Sequence, residues 1–338
     1  MHAERPEGVL TYYRDLEAVQ SAAEFAETVF EDVEDALSRV KSTAEQAWKL
    51  LRALNGTEFQ GFKFPEVAAA HWKELLQTTI ADLATHRQRV IFFWDEVPWM
   101  LDRIKDTEGE RVAMEVLDTL RSLRQTYPTI RMVFTGSVGL HHVLGSLARK
   151  GYANAPINDM ETIDVPALAD ADAEDLARRL LEGEHIVTPD RAAMARSIAR
   201  VTGNVPFYIH KIVGELKYRA DPATGAAIDA LVLDALTDSQ DRWELSHYRS
   251  RIHNYYGQDA DLVRHVLDIL AVADRPLEFG EIFNQVKAQV ATEDADKVRD
   301  LLTLLMRDHY LARHTDGRFS FRFPLIRRWW AFDRGLAA

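Results

Sequence analysis

The feature that most constrains the fold is an unbroken apolar run, Val90–Trp94, which is followed directly by Asp95 and Glu96. Five consecutive apolar residues are typical of a β-strand that is buried on both faces, as in a parallel sheet covered by helices. Such a strand delivers its last residues to the carboxyl edge of the sheet, where open α/β folds bind ligands. We therefore expect Asp95 and Glu96 to lie at a ligand-binding edge.

The segments around this run alternate between helical and extended patterns. Apolar residues spaced three and four apart predict helices, and β-branched or aromatic runs predict strands. This alternation is typical of a parallel α/β sheet. In chain order the sequence predicts a strand at 8–14, two helices within 22–54, a helix at 66–86, the strand at 90–94, a helix at 110–126, a strand at 130–135, a short helix and a strand near 161–165.

The second half of the chain has a different pattern. Its predicted elements are helices near 206–219, 226–246, 259–272, 278–290 and 294–307, followed by alternating runs at 310–313 and 318–321. Asp316-Gly317 between the two runs is a strong hairpin signal. Three helices followed by a hairpin resemble a winged helix-turn-helix. We predict an α/β core over 1–166, an all-helical lid over 167–257 and a winged-helix domain over 258–338.

Composition excludes several classes of function. The chain contains no cysteine, which rules out disulfides, thiolate metal sites and cysteine nucleophiles. Its formal charge of −12 opposes nucleic-acid phosphates, so DNA binding would need a local basic patch. Because no apolar stretch is long enough to span a bilayer and the start MHAERPEG is polar, we expect a soluble cytoplasmic protein with no membrane partner.

Asp95 and Glu96 form the first candidate site. In nucleotide hydrolases, an aspartate at this position helps to hold Mg²⁺ and the following glutamate orients the attacking water. The alternative is a strand that ends in a solvated acidic turn, because a motif this short has a high false-positive risk.

Two further motifs carry candidate ligand contacts. Thr135 and Ser137 flank a glycine after the strand at 130–135, where a hydroxyl could contact a γ-phosphate; an ordinary turn would have the same residues. Gly203 and Pro206 lie between two helices, where free backbone N–H groups could face a phosphate or base. Helix capping would explain that pair equally well.

Together, these motifs resemble those of the archaeal-type AAA or STAND ATPases, a branch of the P-loop nucleotide hydrolases. The matching stretches are IFFWDEVPWML, FTGSVGLHHVL, TGNVPFYIHKIV and FRFPLIRRWW. The resemblance implies ATP and Mg²⁺ as cofactors and an ATP-driven switch or hydrolase as the function. It implies that Asp95 is the metal-associated carboxylate and Glu96 the catalytic base, with Thr135 and Ser137 as sensor-1 hydroxyls and Gly203 and Pro206 as lid contacts.

One family motif is missing. The phosphate-binding loop G-x-x-x-x-G-K-[ST] does not occur, since none of the 16 glycines is followed by lysine. The family carries this loop between its first strand and first helix, so we expect a core that lacks its first strand and an impaired ATPase. That strand would lie between the sensor strand and the last strand of the sheet. A truncated reading frame, with the loop encoded upstream, is the explanation we favour over an evolved loss.

A non-enzymatic regulator is the alternative function. Residues 307–338 contain seven arginines and three aspartates, so this segment is net positive. Arginines on a wing could contact phosphates. The predicted recognition helix, however, carries Asp294, Asp296 and Asp300, with Asp308 just beyond it, and an acidic helix is poorly suited to a major groove. We expect the winged helix to contact a protein partner or a second copy rather than DNA.

Overall fold

The computed structural model describes residues 8–39, 71–85, 88–137, 139–148, 155–219, 222–290 and 294–336. The chain forms two compact units, Met1–Thr162 and Ile163–Ala338. The second of the two helices predicted within 22–54 lies outside the described residues. None of the helices in these ranges is long and apolar enough to cross a bilayer.

The first unit is built on three parallel strands, which confirms the predicted α/β sheet. Their order is β1-β2-β3, so the strand that contains the apolar run is central. The elements of this unit are β1 (Val9–Asp15), α1 (Ala22–Arg39), α2 (Trp72–Ala84), β2 (Arg89–Asp95), α3 (Val97–Glu108), α4 (Glu110–Thr126), β3 (Ile130–Phe134) and α5 (Leu140–Ala148).

The core of this unit lies on one face of β2. Val90, Phe92 and Trp94 are each at most 1% exposed, as alternate residues of a strand with one buried face must be. The Trp94 ring stacks on Phe92 at 4.9 Å between ring centroids and meets the edge of Phe25 from α1 at 5.2 Å. Aromatic packing therefore anchors the strand that carries the candidate site.

The opposite face of β2 is only partly covered. Phe93 is 38% exposed, and its register partner on β1, Tyr13, is 67% exposed. The prediction that β2 is buried on both faces was therefore wrong for this face. The core residues of α1–α4 pack with the Val90 face, and the described core includes neither Ile91 nor Phe93.

The prediction of a strand near 161–165 was wrong. Residues 161–169 have no regular secondary structure, and Ile163 and Val165 are 77% and 85% exposed. An alternating apolar pattern forms a strand only where a neighbouring strand supplies hydrogen-bond partners. Among the described strands, β3 pairs with β2 alone.

The second unit consists of helices and one hairpin around a single core. Its elements are α6 (Asp170–Gly183), α7 (Arg191–Thr202), α8 (Pro206–Leu216), α9 (Gly225–Thr237), α10 (His247–Tyr255), a 3₁₀ turn (Gly257–Asp259), α11 (Ala260–Val272), α12 (Phe279–Gln289), α13 (Ala295–Arg307), β4 (Leu311–Arg313), β5 (Phe319–Phe321) and α14 (Pro324–Asp333). One hydrophobic cluster extends from Ala173 in α6 to Trp330 in α14. The helix predicted at 226–246 ends earlier because Asp241 and Glu244 have positive φ angles, which an α-helix does not contain.

The predicted hairpin is confirmed. β4 and β5 pair antiparallel, with Leu311 opposite Phe321 and Arg313 opposite Phe319. Gly317 has a φ of 86°, a conformation that favours glycine, which explains the Asp-Gly signal at the turn. Leu277, just before α12, adds a bridge to Phe319 on the other side of β5.

The position of Trp94 predicts a graded effect on stability. We expect Trp94→Ala to lower the free energy of unfolding by about 3–5 kcal/mol, because it opens a cavity in the core. Trp94→Phe should cost only about 1 kcal/mol, because a ring is retained and the buried indole N–H, which has no hydrogen-bond partner among the described residues, is removed. Urea denaturation of the two variants measures both effects, and equal losses would contradict this account of the core.

Candidate functional site

The carboxyl ends of β2 and β3 bring Asp95, Glu96, Thr135 and Ser137 together. The ladder continues just beyond the two strands, where the Thr135 N–H donates to the Trp94 carbonyl at 3.0 Å and the Val97 N–H donates to the Thr135 carbonyl at 3.2 Å. These backbone bonds hold the residues that follow the strands beside each other. Four of the residues predicted from the sequence therefore form one cluster at the sheet edge.

Asp95 accepts three hydrogen bonds. The Thr135 hydroxyl donates to Oδ1 at 2.6 Å, the Glu96 N–H donates to the same oxygen at 3.1 Å, and the Tyr13 hydroxyl donates to Oδ2 at 3.2 Å. All three donors are neutral groups. Within the described residues, no lysine or arginine donates to this carboxylate.

These bonds favour the ionised carboxylate. The hydrogen bond from Thr135 is the largest influence on the pKa of Asp95, which is lowered from its usual value despite partial desolvation; the Glu96 N–H and Tyr13 add to the effect. Partial desolvation, and then the bond to Asp95, raise the pKa of Tyr13. Asp95 is therefore charged near neutral pH, and the Tyr13 phenol remains a donor.

Tyr13 was not predicted as a site residue. It lies in β1, two residues before Asp15, which is the register partner of Asp95. The sequence places Tyr13 in a strand, but only the register of the β1–β2 pair shows that its hydroxyl reaches Asp95.

Glu96 has an unusual backbone conformation. Its φ of 54° and ψ of 31° lie in the left-handed region, which costs a non-glycine residue of the order of 1 kcal/mol. Its side chain accepts two bonds from Ser137, from the N–H to Oε1 at 2.9 Å and from the hydroxyl to Oε2 at 3.0 Å. Each hydroxyl of the Thr135–Ser137 turn therefore binds a different carboxylate of the Asp95-Glu96 pair.

Gly136 lies between the two hydroxyl residues and packs closely against α3. A Cβ atom there would be 2.7 Å from Cδ of Pro98, closer than real contacts allow. The sequence places this glycine between two candidate phosphate contacts, and the close approach in the structure is to Pro98. Glycine is needed so that the turn can pass the first residues of α3.

Gly203 and Pro206 lie in the second unit, where both have local structural roles. Gly203 ends α7 with a φ of 62°, and a Cβ atom there would lie 3.2 Å from Phe323 and 3.3 Å from Pro324. Pro206 is the first residue of α8, where its missing N–H costs no helical hydrogen bond. Their assignment as lid contacts stays a prediction.

The bond from Thr135 to Asp95 can be tested by titration. We expect Thr135→Val to raise the pKa of Asp95 toward the usual carboxyl value, because it removes the largest stabilising contact of the charged form. A depressed pKa gives stability that is present above the unfolded-state pKa and is lost as the pH falls through the folded-state pKa, so the variant should lose less stability on acidification.

Carboxyl ¹³C NMR measures the pKa, and acid denaturation measures the stability. Ser137→Ala is the matched control, because Ser137 donates to Glu96 and not to Asp95. An unchanged pKa of Asp95 in Thr135→Val would contradict the assignment.

Comparisons with known proteins identify a similar fold. No protein-family model and no curated protein matches the sequence. The Walker-type ATPase PABY2304 of Pyrococcus abyssi superposes with a TM-score of 0.59 at 12% identity, over 95% of this chain and 84% of that chain.

Two likenesses to origin-recognition proteins of Aeropyrum pernix are weaker. ORC2, in its ADPNP-ADP complexes, gives a TM-score of 0.49 at 13% identity over 97% of this chain and 78% of that one. ORC1 in complex with DNA gives 0.37 at 15% identity, over 96% and 78%. At these TM-scores neither likeness supports the assignment of the fold, which depends on the ATPase of Pyrococcus abyssi. This chain has the α/β fold of an archaeal Walker-type ATPase, as the resemblance in its motifs predicts.

Proposed function

We propose that this chain is a nucleotide-responsive protein of the P-loop ATPase type, whose sheet edge associates with Mg²⁺ and whose own affinity for ATP is weak. The observation that supports this most directly is the pair of carboxylates at the end of the central parallel strand, each held by a hydroxyl from the next strand. The likeness in fold to a Walker-type ATPase agrees with it.

In this proposal Asp95 is the carboxylate that associates with the metal. Mg²⁺ prefers oxygen ligands, and proteins usually hold it through one or two carboxylates and retained water molecules. The carboxylate of Asp95, whose pKa is lowered further from an already acidic value, is charged at neutral pH, and the bonds from Thr135 and Tyr13 fix its orientation. The residues present therefore fit a magnesium ion.

Glu96 is the candidate base that would orient a water molecule, and Ser137 holds its carboxylate. Backbone strain of the kind found at Glu96 is often concentrated at functional sites. For hydrolysis, the Glu96 carboxylate would have to accept a proton from that water, and its bonds to Ser137 would then have to weaken or rearrange. Ser137 is thus a candidate for coupling movement of the Thr135–Ser137 turn to the proton transfer at Glu96.

The same edge fits the phosphates of a nucleotide poorly. A P-loop surrounds phosphates with backbone N–H groups and adds a lysine, and the sequence has no Gly-Lys pair. The groups found at the end of β2 are carboxylates and hydroxyls, and carboxylates repel a triphosphate unless a cation lies between them. We therefore propose that ATP hydrolysis by this chain is impaired.

Calorimetry with Mg-ATP tests the nucleotide proposal. We expect the 338-residue chain to bind Mg-ATP with a dissociation constant of about 1 mM or weaker, and only when the metal is present. A micromolar dissociation constant would contradict the proposal, since it would require a phosphate cradle that the sequence motifs do not show.

Metal binding at Asp95 is measured independently with Mn²⁺ as a paramagnetic probe of nearby backbone amides. Asp95→Asn should abolish the relaxation effect of Mn²⁺ on the Thr135 amide, because it removes the charge with little change in shape. Asp15→Asn is the matched control, since Asp15 is the exposed register partner of Asp95 at the same sheet edge. Equal effects in the two variants would show that Asp95 is not the metal-associated carboxylate.

We further propose that residues 258–338 are a winged-helix domain that binds a protein partner or a second copy, following a helical lid over 167–257 and a nucleotide-binding core over 1–166. The three helices α11–α13, the β4–β5 hairpin and the added bridge at Leu277 support the winged-helix assignment. The lid and this domain share one hydrophobic core, which supports their acting together.

The ion pairs of this region favour protein over DNA as its partner. On α13, Lys297 pairs with Asp259 at 2.5 Å, and Arg299 pairs with Asp296 at 2.7 Å. A cation that already has a carboxylate partner offers little to a DNA phosphate, because binding would have to break that pair.

Two arginines in or beside the hairpin are paired as well, whereas Arg313 of β4 lies over the ring of Phe319. Arg318 lies 3.3 Å from the carboxylate of Glu278, and Arg322 lies 3.5 Å from that of Asp164. Together with the aspartates of α13, these pairs reduce the free positive charge that the hairpin offers to a groove or backbone contact.

Gel retardation with a duplex of about 30 base pairs tests this choice. We expect no retardation by the full chain at protein concentrations up to about 10 μM in ~0.15 M salt, because non-specific binding requires free cationic groups. Retardation that weakens with salt, is lost in the double variant Arg318→Ala/Arg322→Ala and persists in Arg264→Ala would favour DNA instead. Sedimentation velocity of the same samples reports self-association.

A further inference from the structure

A solvent-open cavity with charged side chains at its walls lies between α6 and α7 in the second unit. Its volume is about 580 Å³, within the range of small-molecule sites. Its polar lining residues are Asp170, Glu174, Arg196, Ser197, Arg200 and Asn204. Asn204 belongs to the TGNVPFYIHKIV stretch, and Gly203 of that stretch, a candidate lid contact, lines the cavity as well, whereas the four charged residues belong to no motif found in the sequence.

One wall of the cavity is cationic. Arg196 and Arg200 are four residues apart on α7, so they lie on the same face of the helix. The side chain of neither arginine has an ion pair or hydrogen bond with any of the described residues. By contrast, Arg178 and Arg179 on the neighbouring helix α6 both pair with Asp175. Both side chains are exposed, and two like charges four residues apart slightly destabilise a helix, so an anion bound between them would be favoured.

The facing wall is acidic. Asp170 and Glu174 are four residues apart on α6 and line the same cavity. Asp170 Oδ1 accepts a hydrogen bond from Nδ2 of Asn204 at 2.6 Å, while Glu174 has no partner in the part of the chain that the structure describes. Carboxylates and guanidinium groups therefore line one cavity without pairing across it, although the chain as a whole has more acidic than basic residues.

We propose that this cavity binds a small zwitterionic ligand, with its phosphate or carboxylate on Arg196 and Arg200 and its ammonium group on Glu174. A ligand with only a negative charge would be attracted by the arginines of α7 and repelled by the carboxylates of α6. A ligand with only a positive charge would be attracted by those carboxylates and repelled by the arginines. A molecule with both charges satisfies both walls through charge-assisted hydrogen bonds, which are stronger than neutral ones. Ser197, which also lines the cavity, supplies a hydroxyl for a further hydrogen bond to the ligand.

The proposal is tested by isothermal titration calorimetry of the full chain at low ionic strength. O-phosphoethanolamine carries a phosphate and an ammonium group, and β-alanine carries a carboxylate in place of the phosphate. Inorganic phosphate and ethanolamine supply each single charge separately. We expect at least one zwitterion to bind about tenfold or more tightly than either single-charge probe, and the tighter of the two zwitterions identifies the anion that the site prefers.

Variants assign the binding to this cavity. Arg196→Ala/Arg200→Ala should weaken binding of the zwitterion about tenfold or more, whereas Arg191→Ala, an exposed arginine on the same helix outside the cavity, should not. Glu174→Gln should weaken binding of the zwitterion but leave binding of inorganic phosphate unchanged or stronger. This second variant keeps the test decisive if the double variant fails to fold.

Three results would overturn the proposal. The first is the absence of binding by both zwitterions, and the second is binding of inorganic phosphate as tight as that of O-phosphoethanolamine. The third is an unchanged affinity for the zwitterion in Glu174→Gln.

Discussion

The hydrogen-bond ladder that holds β2 between two parallel strands is the interaction on which the candidate site depends. Because parallel strands run in the same direction, their carboxyl ends meet at one edge, and the register fixes which residues face each other there. Trp94 opposite Phe134 makes Thr135 the next residue beyond the pair, beside Asp95. A shift of one residue would direct alternate side chains to the other face and separate the hydroxyl from the carboxylate.

The sequence predicted those parts of the fold that depend on local pattern. The apolar run Val90–Trp94 predicted a strand, and the position of Asp95 and Glu96 at its end followed from the direction of the chain. The hairpin at Asp316-Gly317 was predicted because a turn with positive φ demands a particular residue type. These predictions succeeded because the apolar run and the turn are each determined by residues that are neighbours in the sequence.

The predictions that failed depended on neighbours distant in the sequence. Residues 161–165 alternate like a strand, but no described strand pairs with them, so the pattern alone could not form a ladder. Phe93 is apolar, yet its burial depends on whether helices pack against that face of β2, which the residues of the strand do not determine. The bond from Tyr13 to Asp95 and the charged walls between α6 and α7 are likewise products of tertiary contact, and residue spacing within one segment could not reveal them.

The electrostatics of the sheet edge limit its chemistry. Asp95 and Glu96 are anchored by hydroxyl and amide donors, and no ion pair to Asp95 occurs within the described residues, whereas most arginines described in the second unit lie against an aspartate or glutamate. A triphosphate brought to such an edge would meet like charge first, so a cation must bind before or together with it. Under the proposed function, metal association at Asp95 would therefore be the step that nucleotide chemistry at this edge requires, and the hydroxyl of Thr135, which lowers the pKa of that carboxyl and orients it, would prepare it.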